Sequence, residues 1–183
     1  CSTVQRGTAE SGVTVSVDFS ADPLKSSFKL DVNGSIRECT KGLNKLLLIF
    51  AQAAGIKLDV EFSAKVLSSS HVVFEDIGLV LGRCLLEILE LRFEKTGAMG
   101  AGSSLIEPDD FKNQNGMVVV SVEGRKFWDF IPLDGNEKKL LQNFLIGQNV
   151  LGNLRSEDLD DFFDGLSGGM AASIIVHINK VKN

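Results

Sequence analysis

Basic charge is scarce in this chain. Its 183 residues carry 19 Lys and Arg against 24 Asp and Glu, a net charge of −5. Neutralising nucleic-acid phosphates requires a basic face, so the balance argues against a nucleic-acid partner. Cysteine is limited to Cys1, Cys39 and Cys84. An odd, widely spaced set is neither a disulfide framework nor a cysteine zinc site, and Cys84, inside an apolar helical stretch, reads as an inert buried thiol. Long hydrophobic runs are missing as well. The longest is broken by Arg83 and Glu87 and falls short of the roughly 20 apolar residues that span a bilayer. The opening CSTVQRGTAE is polar and has no signal-peptide pattern. These absences together lead to the expectation of a cytoplasmic soluble protein without a membrane partner.

What the chain does have is apolar pattern. At 44% hydrophobic, with 18 Gly and 3 Pro, it can build one substantial domain or two small related lobes. The organising stretch is HVVFEDIGLVLGRCLLEILELRFE, residues 71–94, an apolar helix that opens on His71 and Glu75. Before it, residues 12–20 and 27–33 alternate with period two and, joined by a turn at Ala21-Asp22-Pro23, read as a hairpin. A helix follows over 41–55, stopped by Gly55, and then a strand through Ile56, Leu58, Val60 and Phe62. Residues 96–104 are small and read as flexible, and turn chemistry at 107–110 and 113–116 completes a linker over 96–116.

Beyond the linker the pattern restarts. Residues 117–124 and 126–132 read as two strands around Gly124-Arg125. A long connection follows, with room for a short helix. Ser156 is placed to cap a helix over EDLDDFFDGL, and SIIVHINKV reads as a last strand. LNKLLLIFAQAAGIKLDV and LDDFFDGLSGGMAASIIVHI can be laid over each other, which makes 1–95 and 117–183 two half-repeats. The fold class expected is α/β (α+β), two pseudo-symmetric lobes from an internal repeat, each a sheet backed by helices. Within these residues the second half shows no counterpart of the 71–94 helix, which leaves an apolar sheet face to a longer chain or to a partner.

Three stretches carry a family likeness. They are Arg6-Gly-Thr8-Ala-Glu10-Ser-Gly-Val, His71-Val-Val-Phe-Glu75-Asp76-Ile-Gly-Leu-Val-Leu-Gly, and Val122-Glu-Gly124-Arg125-Lys-Phe. In order and interval they resemble the imidazoleglycerol-phosphate dehydratase family of histidine biosynthesis, with its R-x-T-x-E-T/S-x-I/V, H-H-T-V-E-D-x-G-x-A-L-G and D-L-S-G-R-P-x-L/F motifs. The resemblance implies a ribosomal-protein-S5-domain-2-like pair of lobes in a large homo-oligomer, and a lyase reaction in which two manganese ions hold an imidazole and stabilise its developing charge. It implies Glu10 as a catalytic residue facing substrate, His71 and Glu75 as metal ligands, and Arg125 as a phosphate contact.

The same resemblance exposes departures. The family's chemistry draws on about six histidines, and this chain has His71 and His177. Lys45 stands where the family has a ligand histidine on its first helix, Val72 where it has the second His of H-H-x-x-E, and Asp161 where it has a ligand on the second-half helix. Lys45 would repel a divalent ion, and Lys45 and Asp161 could pair with each other or with neighbours. Gly100 stands where a second phosphate-binding arginine is expected.

Each motif has a plainer reading beside it. Residues i and i+4 on a helix meet without any metal, so His71 and Glu75 can be a structural remnant. His177, on an alternating strand, reads as a satisfied strand histidine. Gly165–Ser173 looks like the phosphate loop of galactokinase-type kinases, but a strand rather than a helix follows it, which favours a helix end turning into a strand. Phe127, Trp128 and Phe130 read as core and interface aromatics. Two functional classes result. One is a dehydratase-like subunit that has lost its two-metal site, needs no cofactor, and binds a small phosphorylated ligand or takes part in assembly. The other is a working manganese-dependent dehydratase whose missing ligands come from a longer chain or a neighbouring subunit.

Overall fold

A computed structural model describes residues 1–33, 36–67, 69–106, 116–132, 149–151 and 153–178. The first lobe runs β1 (Ser2–Gly7), β2 (Ser11–Asp18), a 3-10 turn (Pro23–Lys25), β3 (Ser27–Asp31), α1 (Ile36–Ala54), β4 (Lys57–Ala64) and α2 (His71–Thr96). Its sheet has the order β1-β2-β4-β3, with β4 antiparallel to β2 and parallel to β3. Period-two alternation sends Val13, Val15 and Val17 to the same face as Phe62, Val60 and Leu58, their cross-strand partners. All six are sealed in the core. The opposite face carries Thr14, Ser16, Asp59 and Glu61.

The second lobe runs β5 (Ala101–Ile106), β6 (Gly116–Val122), β7 (Phe127–Pro132), a small ribbon of β8 (Asn149–Leu151) and β9 (Leu154–Arg155), α3 (Ser156–Met170) and β10 (Ala172–Ile178). Its sheet order, β5-β6-β10-β7, repeats the first, again with one parallel pair. The internal repeat is therefore real at the level of topology. Gly55 and Ala171, the same position in the two halves, both stop their helix in the left-handed region, at φ 64° and 49°.

Several sequence expectations change. Residues 12–20 and 27–33 do not form a hairpin, because β4 lies between β2 and β3. The same holds for β6 and β7, separated by β10. In each lobe a strand–helix–strand crossover returns the chain to the centre of the sheet, as parallel pairing requires. β1 was not anticipated in the polar amino terminus. Residues 101–104, part of the 96–104 stretch expected to be flexible, pair with β6 within β5. Helix α1 starts at Ile36, earlier than expected, with Ile36 and Thr40 buried. Helix α3 contains Ser156 as its first residue, not its cap; the acid Asp158 reaches back to the Arg155 backbone N–H at 3.3 Å instead. The expected turn at 107–110, that at 113–116 apart from Gly116, which opens β6, and the possible short helix in the long connection before Ser156 lie largely outside the described residues.

The helices meet between the two sheets. Helix α2 rests on β1 and β2 and packs along α3, which in turn rests on β7 and β10. The α2–α3 crossing is unusually close because both helices present glycines to it. A Cβ at Gly165 would stand 2.3 Å from the Glu75 carbonyl oxygen, and one at Gly78 would stand 2.2 Å from the Phe162 carbonyl oxygen. Gly82 and Gly169 repeat the arrangement one turn on. The glycines of 165–173 are thus the interior and end of a helix, which bears out the helix-end reading over the phosphate-loop one.

Candidate functional site

The close crossing fixes what surrounds the first turn of α2. His71 lies on that turn beside α3. Its Nε2 is 3.0 Å from Glu75 Oε2, one helical turn on, and its Nδ1 is 2.7 Å from Asp161 Oδ1 on α3. Three of the sequence-derived site positions are thereby in direct contact. Asp161 pairs with His71 and not with Lys45. A neutral imidazole can donate from only one nitrogen, whereas an imidazolium donates from both. The Asp161 carboxylate holds the His71 imidazole above its ordinary pKa, with Glu75 adding to the effect. Burial pushes the Asp161 carboxyl up as well, against the pull of His71. The two shifts oppose each other within one contact, and the cationic ring is the form that satisfies both of its carboxylate neighbours.

Glu10 comes to the same place from the other side. Thr8 Oγ1 accepts from the backbone N–H groups of Glu10 and Ser11, at 3.3 and 3.0 Å, and this folds the β1–β2 turn tightly. The turn is anchored to α2 by Asp76, a buried acid. Asp76 pairs with Arg6 and accepts from the Ser11 hydroxyl at 3.1 Å. Glu10, Val72 and Glu75 then line one cleft of about 350 Å³, together with Arg6, Ser11 and Asp76. Val72 contributes only a hydrocarbon surface where a nitrogen donor is expected from the motif.

A second buried junction ties the starts of the two helices. The Ser70 hydroxyl donates to Asp158 Oδ1 at 2.6 Å, and Arg155 donates to both Ser70 and Asp158, at 2.8 and 3.1 Å. Asp158 is almost fully buried. Sequence reasoning missed both junctions. The available signal was an acid, Asp76 or Asp158, at a helical position otherwise facing the core.

The remaining positions are elsewhere. Lys45 is exposed on α1 and takes part in none of the described ion pairs. Arg125 sits in the β6–β7 turn, 79% exposed, and its guanidinium lies 3.1 Å from Glu123. Neither touches the His71 turn. Trp128 stacks on Phe163 at 4.7 Å and donates from its indole N–H to Asp160 at 2.7 Å, a core role with one polar tie. Cys84 is buried, and burial pushes its thiol up, in keeping with the inert reading. His177 departs from its expectation at one atom: its Nδ1 is buried without a hydrogen-bond partner among the described residues. Among the described residues, no group of three or more His, Cys, Asp or Glu side chains is arranged to hold a metal ion. No helix among them is long and apolar enough to cross a membrane.

Comparison with known proteins agrees with the geometry. A family model described as imidazoleglycerol-phosphate dehydratase matches residues 40–183. The imidazoleglycerol-phosphate dehydratase of Staphylococcus aureus strain Newman is 25% identical over 178 residues, covering 97% of this chain and 77% of the relative. Among solved structures, the enzyme from Staphylococcus aureus subsp. aureus superposes with a TM-score of 0.60 at 18% identity, over 100% of this chain and 87% of the other. That from Pyrococcus furiosus gives 0.59 at 17% identity, over 98% and 80%. Two repeated lobes, a close helix crossing that carries His71 and Glu75, and a family match over most of the length lead to one conclusion: the chain belongs to the imidazoleglycerol-phosphate dehydratase family.

Proposed function

We propose that this chain is a family member that has lost the two-metal dehydratase site and serves as a non-catalytic binding or assembly subunit. The observation that carries the reading is the His71 contact pair, with one ring nitrogen held by Asp161 and the other facing Glu75. The family's manganese chemistry calls for neutral imidazoles with free lone pairs and several of them. Here the donor set does not fit that group. Val72 has no donor atom, Lys45 brings a positive charge to a ligand position, and His71 is surrounded by acids that favour its cation. Identical neighbouring subunits would carry the same Lys45 and Val72, so assembly of copies does not restore the set.

Binding of a small phosphorylated ligand is supported less directly. Glu10 remains at the cleft with Glu75, and Arg125 is exposed and available to an anion, though it lies apart from that cleft in the single chain. Homo-oligomer formation follows the family reading. The test is an assay of purified protein with imidazoleglycerol phosphate and manganese. The proposal expects no dehydration, with ligand binding that persists when metal is chelated. Turnover that requires manganese would overturn it in favour of a working dehydratase.

A further inference from the structure

The β1–β2 turn borders a second recess besides the cleft it shares with Glu75. Three strand ends converge there. Asp31, the last residue of β3, pairs with Ser63 of β4, and Ser63 pairs with Gly12 of β2. Period-two alternation turns these residues to the sheet face opposite the core residues Val13 and Phe62. Lys65 follows β4 directly, and its backbone N–H donates to the Glu10 carbonyl at 3.3 Å, which fixes it beside the turn. Glu10, Asp31, Asn33, Ser63 and Lys65 thereby line one cavity of about 470 Å³. A Cβ at Gly12 would meet only the Ser63 hydroxyl, at 3.7 Å, so no side chain covers the sheet at that point.

Charge sets this cavity apart. Elsewhere around the first sheet unlike charges meet: Lys29 pairs with Glu61, Lys57 with Asp59, and Arg6 with Asp76. Lys65, Glu10 and Asp31 face the same cavity, yet their side chains take part in none of the described hydrogen bonds or ion pairs. A cation and two carboxylates are thus held apart across a space of ligand size.

We propose that this cavity binds a small zwitterion, an α-amino acid, with its carboxylate on Lys65 and its ammonium group on Asp31 and Glu10. Charge complementarity selects that class. A phosphate dianion would meet two carboxylates beside the one cation, and a simple amine would leave Lys65 without a counter-charge. A zwitterion answers both signs. Ser63 and Asn33 add a hydroxyl and an amide, neutral donors for the ligand carboxylate. The three charged side chains are exposed, so each contact is weak. The site uses neither His71 nor a metal, and it stands apart from the loss of the dehydratase centre.

The experiment is saturation-transfer NMR on the full chain at neutral pH, with L-serine as the probe. Two analogues accompany it: L-serinamide, which lacks the carboxylate, and 3-hydroxypropionate, which lacks the ammonium group. The expected result is saturable L-serine binding with a dissociation constant on the order of millimolar, and binding of each analogue weaker by about five-fold, the size of one exposed ion pair. Lys65→Met should weaken L-serine by about five-fold and leave L-serinamide unchanged. Asp31→Asn should weaken L-serine and leave 3-hydroxypropionate unchanged. Both substituted side chains are exposed, so the variants remain folded, which circular dichroism checks. Absence of saturable binding, equal affinity for the three probes, or insensitivity to both substitutions overturns the proposal. Inorganic phosphate that binds more tightly than L-serine, and does so through Lys65, assigns the cavity to a phosphorylated ligand and overturns it too.

Discussion

His71 is the residue on which the account turns, and its surroundings predict how stability depends on pH. Its pKa is raised above the ordinary 6.5 by the Asp161 hydrogen bond, with Glu75 contributing. The stabilisation is complete below that ordinary value and is lost as pH rises through the folded-state value. Asp161, pushed up by burial, works in the same direction from lower pH, because its neutral form is favoured in the fold. The urea midpoint of the parent minus that of His71→Gln should therefore shrink as pH rises above the ordinary 6.5. A difference that stays flat as pH rises contradicts the imidazolium assignment. Asp76 makes a second prediction. It is buried and holds both Arg6 and Ser11. Asp76→Ala should cost about 2 kcal/mol in urea unfolding, the scale of hydrogen bonds to a charged group; a loss within a few tenths of a kcal/mol would show that the turn does not depend on it. These roles were partly legible in the sequence. His71 and Glu75 at i and i+4 could be read as a pair, because helix geometry fixes that contact. Asp161 could not be placed against His71, because that contact depends on how closely two distant helices cross.

At the scale of elements, glycine decides that crossing. Gly165 has no room for a side chain against the Glu75 backbone, whereas a Cβ at Gly168 would meet the flexible Lys126 side chain at 3.4 Å. Gly165→Ala should destabilise by about 1–3 kcal/mol through overpacking. Gly168→Ala, on the same helix, should be neutral or stabilising by up to about 1 kcal/mol through helix propensity. Thermal unfolding of the two variants side by side checks this, and equal effects would mean that the crossing is not set by backbone contact. The sequence showed the glycines but favoured a helix end for them without revealing the packing, since a glycine cluster looks alike in a loop and in a tight crossing. Strand identities were readable from alternation at β2, β3, β4 and β10. Strand order was not. Adjacent strands β2 and β3 look like a hairpin locally, and only the return of β4 between them, a long-range pairing, shows otherwise. β5 was hidden because Ala101, Gly102, Ser103 and Ser104 have low strand propensity and are held by pairing with β6.

The whole molecule keeps the family's scaffold, and the proposal is that its centre has changed. Topology, the repeated helix stops at Gly55 and Ala171, and the family match all describe one inherited framework. The repeat could be read from the sequence because corresponding segments keep their apolar spacing even where residues differ. The proposed change at the centre was read in the sequence as a set of departures, with Lys45, Val72 and Asp161 at positions where the family resemblance implies ligands. The most direct test of the central claim is the number of manganese ions retained per chain after equilibrium dialysis of the purified protein, measured by elemental analysis. The account predicts none held stoichiometrically, and no change when His71 is replaced by Gln. Two manganese ions per chain, lost in the His71→Gln variant, would contradict it.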